Sequence, residues 1–255
     1  MCRIRAVVFD LDDTLYAERD YAFSGFAAVA REFAEVCWSD PVRAEADMRR
    51  LFDTDHRPRV FDALLKERKI YNNTDLVARM VETYRSHKPT IRLYSDAEAA
   101  LSRLRPDYKL GVITDGRAAA QWAKVDALNL RSRLDEIIVT SELDSTGYTR
   151  SGVKSLAQTA SPAFAKPHPR AFELMAGRLG VAPRECVYVA DNPAKDFVAP
   201  NALAWLTIRI HRRDGVYRDA VAAPDGQPRH QLDTLDTLDP LLILPLRENE
   251  QRAKV

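Results

Sequence analysis

Residues 6–16 read AVVFDLDDTLY: an unbroken apolar run, then Asp10, Asp12 and Asp13 within four positions, then Thr14. A short continuous apolar run is the mark of a strand buried on both faces, as in the middle of a parallel sheet. Beyond the end of such a strand, residues two apart project to the same side, so Asp10 and Asp12 face one bound group while Asp13 turns away. A solvated loop or a helix cap accounts for one aspartate here, or two, but does not demand Thr14. At average residue usage, three apolar residues followed by D-x-D-x-T arise by chance in only about one in several hundred chains of this length.

Outward from this stretch, similar Val- and Ile-rich runs recur as YKLGVITDG (Tyr108–Gly116), EIIVT (Glu136–Thr140), CVYVAD (Cys186–Asp191) and AWLTIRI (Ala204–Ile210), beside IRAVVFD (Ile4–Asp10) itself. Between them lie helical patterns at Asp96–Leu104, Ala118–Leu130 and Pro169–Val181, the last with Pro169 suited to a first turn and Gly180 to a stop. Strands alternating with helices predict an α/β doubly wound parallel sheet, whose ligands sit beyond the carboxyl ends of the strands.

The alternation breaks between Ala17 and Thr90. This stretch carries amphipathic segments at Phe23–Cys37, Arg59–Ile70 and Thr74–His87 and no strand pattern. It is read as an inserted α-helical cap, residues 17–90, folded over a core made of residues 1–16 and 91–255, with His87–Asp96 leading back; the alternative is extra helices on the flank of the sheet. Ser141–Lys166 is polar, Ser- and Thr-rich and aperiodic, a loop longer than most. The tail holds a short strand and helical turn within His230–Leu244, then a fraying end.

Lys and Arg (38) nearly cancel Asp and Glu (37), for a net charge of +1. Neither a nucleic-acid footprint nor a polybasic membrane arm is suggested. Three scattered cysteines, Cys2, Cys37 and Cys186, fit reduced thiols serving as small apolar fillers. No apolar run approaches the roughly 18 residues of a membrane span, and the first strand starts too soon for a signal peptide. A cytoplasmic protein is the expectation.

The companions of the first motif complete the pattern. The second strand ends in VITDG with Thr114, Lys166 opens KPHPRAF, and the fourth strand ends in VYVADNPAKDF with Asp191 and Asp196. A hydroxyl, a lysine and two further acids thus follow one another in chain order at points that converge in a doubly wound sheet. In these four motifs, from Ile4 to Ile210, the chain resembles the haloacid dehalogenase (HAD) superfamily, specifically its phosphatases with a helical cap inserted after the first strand. The resemblance implies that Asp10 is the nucleophile and Asp12 the acid/base. Thr114 would bind phosphoryl oxygens within a stretch continued by Asp115 and Gly116. Lys166 would neutralise them. Asp191 would complete a Mg²⁺ site with the Asp10 carboxylate and the Asp12 backbone carbonyl, and Asp196 would hold Lys166 or a metal-bound water.

Chemistry supports these roles. A carboxylate approaches a phosphate dianion only where cations screen the repulsion, and Mg²⁺ prefers hard oxygen ligands. Asp12 must be protonated to release an alcohol and must then accept a proton from water; Asp10 and the phosphate would raise its pKa while Mg²⁺ opposes that. The chain departs from the family pattern in Asp115, where many relatives carry Asn and whose side chain is expected to face away from phosphate, in Ala190 in place of Gly, and in the long loop before Lys166. His168 is assigned to positioning that loop.

Other chemistries of the superfamily remain open: a phosphomutase, a phosphonate hydrolase using Lys66, Lys69 or Lys88, or a dehalogenase, against which Asp12 counts. A phosphate-accepting signalling domain would be about half this length, and an idle binding module would usually lack one of Asp10, Asp12 or Asp191. The substrate is expected to be a phosphorylated small molecule met by Tyr16, Arg19, Arg85, His87 and Lys88 near the cap's two hinges. Nothing in the sequence speaks to oligomeric state.

Overall fold

The computed structural model describes residues 3–54, 59–70, 73–143 and 164–243. Most of the Ser141–Lys166 loop, the end of the tail and Cys2 lie outside them. Six strands, β1 (Ala6–Phe9), β2 (Lys109–Thr114), β3 (Glu136–Val139), β4 (Cys186–Ala190), β5 (Leu206–Ile210) and β6 (His230–Leu232), form one parallel sheet in the order β3-β2-β1-β4-β5-β6. The chain leaves β1 for β2 and β3 on one side and later resumes with β4 on the other. β1 therefore sits at the switch point, where a doubly wound sheet opens its crevice. Register makes the crevice compact: Phe9 lies opposite both Val112 and Val189, so the residues following β1, β2 and β4 emerge together.

Strand alternation divides the core into two layers. Val7 and Phe9 face a cluster containing Leu101, Leu104, Val125 and Leu128 from helices α6 (Ser95–Leu104) and α7 (Ala118–Ala127) and the turn after α7. Ala6 and Val8 face Phe172, Met175, Tyr188 and Trp205, with α8 (Arg170–Leu179) supplying the first two. The Phe172 ring stands edge-on to Tyr188 at 4.9 Å and to Trp205 at 5.6 Å. α8 stops where Gly180 takes φ 66°, a left-handed cap that a Cβ would strain.

Between β1 and α6 lie α1 (Glu18–Glu32), α2 (Ala34–Cys37), α3 (Pro41–Phe52), α4 (Val60–Glu67) and α5 (Thr74–Ser86). They bury an apolar cluster of their own, including Phe26, Val29, Phe33, Met48, Leu64 and Met80. The single segment expected at Phe23–Cys37 is broken at Phe33 into α1 and α2. α3, which the sequence reading did not single out, starts after Asp40, whose carboxylate accepts from the Arg43 N–H at 3.1 Å. It buries Ala44, Met48, Leu51 and Phe52, a spacing of four, seven and eight that makes one helical face. The two chain crossings lie side by side: the Tyr94 N–H donates to the Leu15 carbonyl at 2.9 Å, and Tyr16 bridges to Leu93.

The tail is tied down by one buried ion pair. Arg212 reaches Asp96 at 2.6 Å and the Thr14 carbonyl at 2.8 Å, over the Tyr94 ring. Asp96 also accepts from the Leu235 N–H and the Thr234 hydroxyl. Burial raises the Asp96 pKa, but these donors outweigh it and hold the carboxyl below its ordinary value. A carboxyl lowered by folding contributes stability above its unfolded pKa and loses it as pH falls through the folded one. Asp96→Asn is expected to cost about 1–3 kcal/mol at pH 7, with the difference from wild type shrinking below about pH 4, as urea unfolding across pH will read.

Candidate active site

Asp10 leaves β1 with its N–H on the Val189 carbonyl at 2.9 Å, which ties it to the end of β4. Its carboxylate meets Lys166 Nζ at 2.5 Å. The same ammonium lies 2.8 Å from Asp196 Oδ1 and donates to the Tyr188 hydroxyl at 3.0 Å. The Lys166 and Asp196 side chains are wholly buried. Burial alone would lower the Lys166 pKa; Asp10 and Asp196 outweigh it and hold the ammonium far above its usual value. Asp196 is fixed in turn, its other oxygen accepting from the Asn192 N–H at 3.1 Å.

Asp191 follows β4. Oxygens of Asp10, Asp191 and Asp196 lie within 4.8 Å of one another, and Asp191 Oδ2 is buried without a hydrogen-bond partner among the described residues. Burial pushes the Asp10 carboxyl up to about 7, with Lys166 opposing and Asp196 adding to the rise. Asp191 is raised well above its ordinary value by burial and by the charges of Asp10 and Asp196. Three converging carboxylates, one with an orphaned oxygen, exceed what Lys166 neutralises. That donor set fits a hard divalent cation.

Asp12 differs from what the sequence suggested. Its carboxylate accepts from the Tyr16 hydroxyl, from Lys124 Nζ at 2.7 Å and from Gln121 Nε2 at 3.1 Å. Burial raises its pKa, but Lys124, Tyr16 and Gln121 together lower it. Three donors converge on the ionised form, opposing the rise expected from Asp10 and a bound phosphate. Asp13 turns away as its parity requires, capping α1 through the Glu18 N–H at 2.8 Å and holding the Val216 N–H at 2.7 Å.

Thr114 is buried at the end of β2, its hydroxyl oxygen accepting from Gln121 Nε2; its own proton is left for another acceptor. Asp115 accepts from the Thr140 hydroxyl at 2.7 Å and the Lys166 N–H at 3.2 Å, and pairs with Lys195 at 2.9 Å. Burial raises its pKa, but Lys166 and Lys195 outweigh that, so the carboxyl stays low. The extra acid is neutralised by Lys195, and its side chain is taken up by Thr140, the Lys166 N–H and Lys195. Gly116 sits at φ 131°, where a Cβ would also lie 3.2 Å from Gln121.

The insert's candidates do not gather at the strand ends. Arg19 stacks on Phe23 and lies 3.4 Å from Asp53, so it serves the insert's surface. His87 is buried, Nδ1 bonded to the Tyr84 carbonyl at 2.6 Å and the ring packed on Tyr21 at 4.8 Å. Burial lowers its pKa. Arg85 is exposed, and so are Lys66, Lys69 and Lys88, without the desolvation that activates a Schiff-base lysine. His168 sits where a loop-positioning residue would, accepting from the Arg170 N–H at 3.1 Å and edge-on to Phe164.

The sequence reading missed Gln121, Lys124, Tyr188 and Lys195. A signal existed for two of them: Gln121, Lys124, Val125 and Leu128 are spaced as one buried helix face, and all four are buried. Polar residues on such a face ask for a partner.

A family model described as haloacid dehalogenase-like hydrolase matches residues 4–202. A glyceraldehyde 3-phosphate phosphatase of Methanopyrus kandleri is 32% identical over 250 residues, covering 92% of this chain and 98% of that protein. An N-acylneuraminate-9-phosphatase of Rattus norvegicus is 27% identical over 234 residues, covering 85% and 86%. Among solved structures, magnesium-bound YfnB of Bacillus subtilis superimposes with a TM-score of 0.61 at 18% identity, covering 95% of this chain and 100% of that one. Among the described residues, no helix is long and apolar enough to cross a membrane.

Proposed function

The chain belongs to the haloacid dehalogenase-like hydrolases, and from that premise we propose that it is a Mg²⁺-dependent phosphatase acting on a small phosphate monoester through an aspartyl-phosphate on Asp10. The observation that carries this reading is the convergence of Asp10, Asp191 and Asp196 around a buried Lys166. Relatives named as phosphatases of small phosphorylated metabolites support it.

Asp10 attacks phosphorus and the ester oxygen leaves, so one hard displacement becomes two easier ones. Lys166, in contact with Asp10, and the Thr114 hydroxyl hold the phosphoryl oxygens through the transition state. With the charge of the bound phosphate beside it to raise its pKa, Asp12 takes up a proton, gives it to the leaving oxygen in the first step and takes one from water in the second. Mg²⁺, which Asp10 and Asp191 would hold, supplies when bound the positive charge that favours ionised Asp10 and screens the incoming dianion. Residues 17–90 act as a cap over a core of 1–16 and 91–255. In support, the insert reaches α7 beside the site, where Lys124 lies 4.5 Å from the centre of the Tyr21 ring and Arg117 lies 3.8 Å from Glu82.

Purified protein assayed against a panel of phosphometabolites should release inorganic phosphate with Mg²⁺ and stop when chelated; undiminished release after thorough chelation would sink the reading. Mg²⁺ at about 100 times its dissociation constant should also stabilise the fold by about 2.7 kcal/mol. Asp191→Asn should remove that stabilisation while remaining folded, which thermal melts with and without metal will check.

A further inference from the structure

We propose that Lys124 is a positioning residue for hydrolysis of the phosphoenzyme, holding Asp12 turned as the base that receives the proton of the attacking water. The inference rests on the phosphatase reading above and adds to it a residue outside the four motifs.

Lys124 lies on the inner face of α7, its side chain 8% exposed. An ammonium on a helix can usually reach water, and burying one is costly unless it is paired. This one is spent on a single carboxylate, Asp12, at 2.7 Å, while the Tyr21 ring lies 4.5 Å from it and the Tyr16 ring 6.0 Å. The other two donors to Asp12 are neutral. The Tyr16 hydroxyl comes from β1's own exit loop, and Gln121 is itself anchored to Thr114 and to the Asp115 carbonyl at 2.7 Å. All three donors leave Asp12 as an acceptor, the form required in the second half of the reaction and not in the first. In that half the water oxygen bonds to phosphorus, the bond from phosphorus to the Asp10 oxygen breaks, and its electron pair returns to Asp10. The water proton passes to Asp12, and inorganic phosphate leaves. Because Tyr21 belongs to α1, the same lysine links the insert's position to the orientation of Asp12.

The test uses the full chain with an activated aryl phosphate, whose leaving group needs no proton, and reads kcat, KM and acid-quenched phosphoenzyme. Lys124→Met should lower kcat about 10- to 100-fold, a part of the 10² to 10⁴ that proton transfer contributes. KM should not rise, and the steady-state fraction of phosphoenzyme should increase because formation continues while hydrolysis slows. Lys124→Gln, smaller in its disturbance of packing, should show the same pattern and carries the test if the Met variant does not fold. Tyr21→Leu should shift the phosphoenzyme fraction in the same direction by a smaller factor. A fall in kcat without more phosphoenzyme would overturn the proposal, as would a rise in KM at unchanged kcat, which would make Lys124 a substrate-binding group. Absence of label and of phosphate release in the wild type would instead overturn the phosphatase reading itself.

Discussion

Asp10→Asn is expected to abolish phosphate release, by a factor on the order of 10⁴ or more, and to remove all covalent phosphoryl label. The amide keeps the shape of the carboxyl at the end of β1, and the Asp10 N–H stays on the Val189 carbonyl, so loss of activity will not reflect loss of the strand end. Asparagine cannot supply the attacking oxygen anion, and no other described carboxylate pairs with the Lys166 ammonium except the fully buried Asp196. The substitution also removes a charge from a cluster that holds too many. Burial pushes Asp10 up to about 7, so at neutral pH the metal-free variant should be no less stable than wild type. Rapid acid quench with labelled substrate, beside a denaturation curve, checks both. Label persisting on the variant would place the nucleophile elsewhere.

Lys166→Met should remove activity and, unlike Asp10→Asn, should also unsettle the fold. Its ammonium lies between two buried carboxylates, and removing one partner of such a pair costs about 3–5 kcal/mol because the remaining charges are left uncompensated. Folding raises the Lys166 pKa well above its ordinary value. The stability it contributes is therefore fully present below the unfolded pKa and lost only in strongly alkaline solution. At pH 7 the whole penalty should appear. Lys166→Met combined with Asp196→Asn should recover part of the stability and none of the activity, a non-additivity that urea unfolding of the double-mutant cycle will measure. A variant as stable as wild type at neutral pH would mean that the carboxylates around Lys166 are neutral.

The strands of the sheet were legible because parallel strands covered on both faces must be apolar throughout, and β1, β2, β4 and β5 each coincide with such a run. Asp10, Thr114 and Asp191 were legible as candidates because each stands where one of those runs ends. α3 was less so, since its buried face is only Ala44, Met48, Leu51 and Phe52 among charged neighbours. Arg19 and His87 were read only from their place near a hinge. Proximity to a hinge says nothing about direction, and direction was decided by Asp53 and Phe23 for Arg19 and by Tyr84 and Tyr21 for His87.

The sequence by itself determined the order of the strands along the chain, the helical nature of the insert, and which residues stand at the strand ends, because periodicity and strand termination are local properties. Which carboxyl is pushed up in pKa and which is held low was decided only by the tertiary structure. Asp10 and Asp12 are two residues apart and chemically identical, yet Asp10 is raised beside Asp196 and a shared Lys166 while Asp12 is lowered by Lys124, 112 positions away. Desolvation and Coulomb energy depend on what the fold brings within a few ångströms, and that distance is not written in sequence separation.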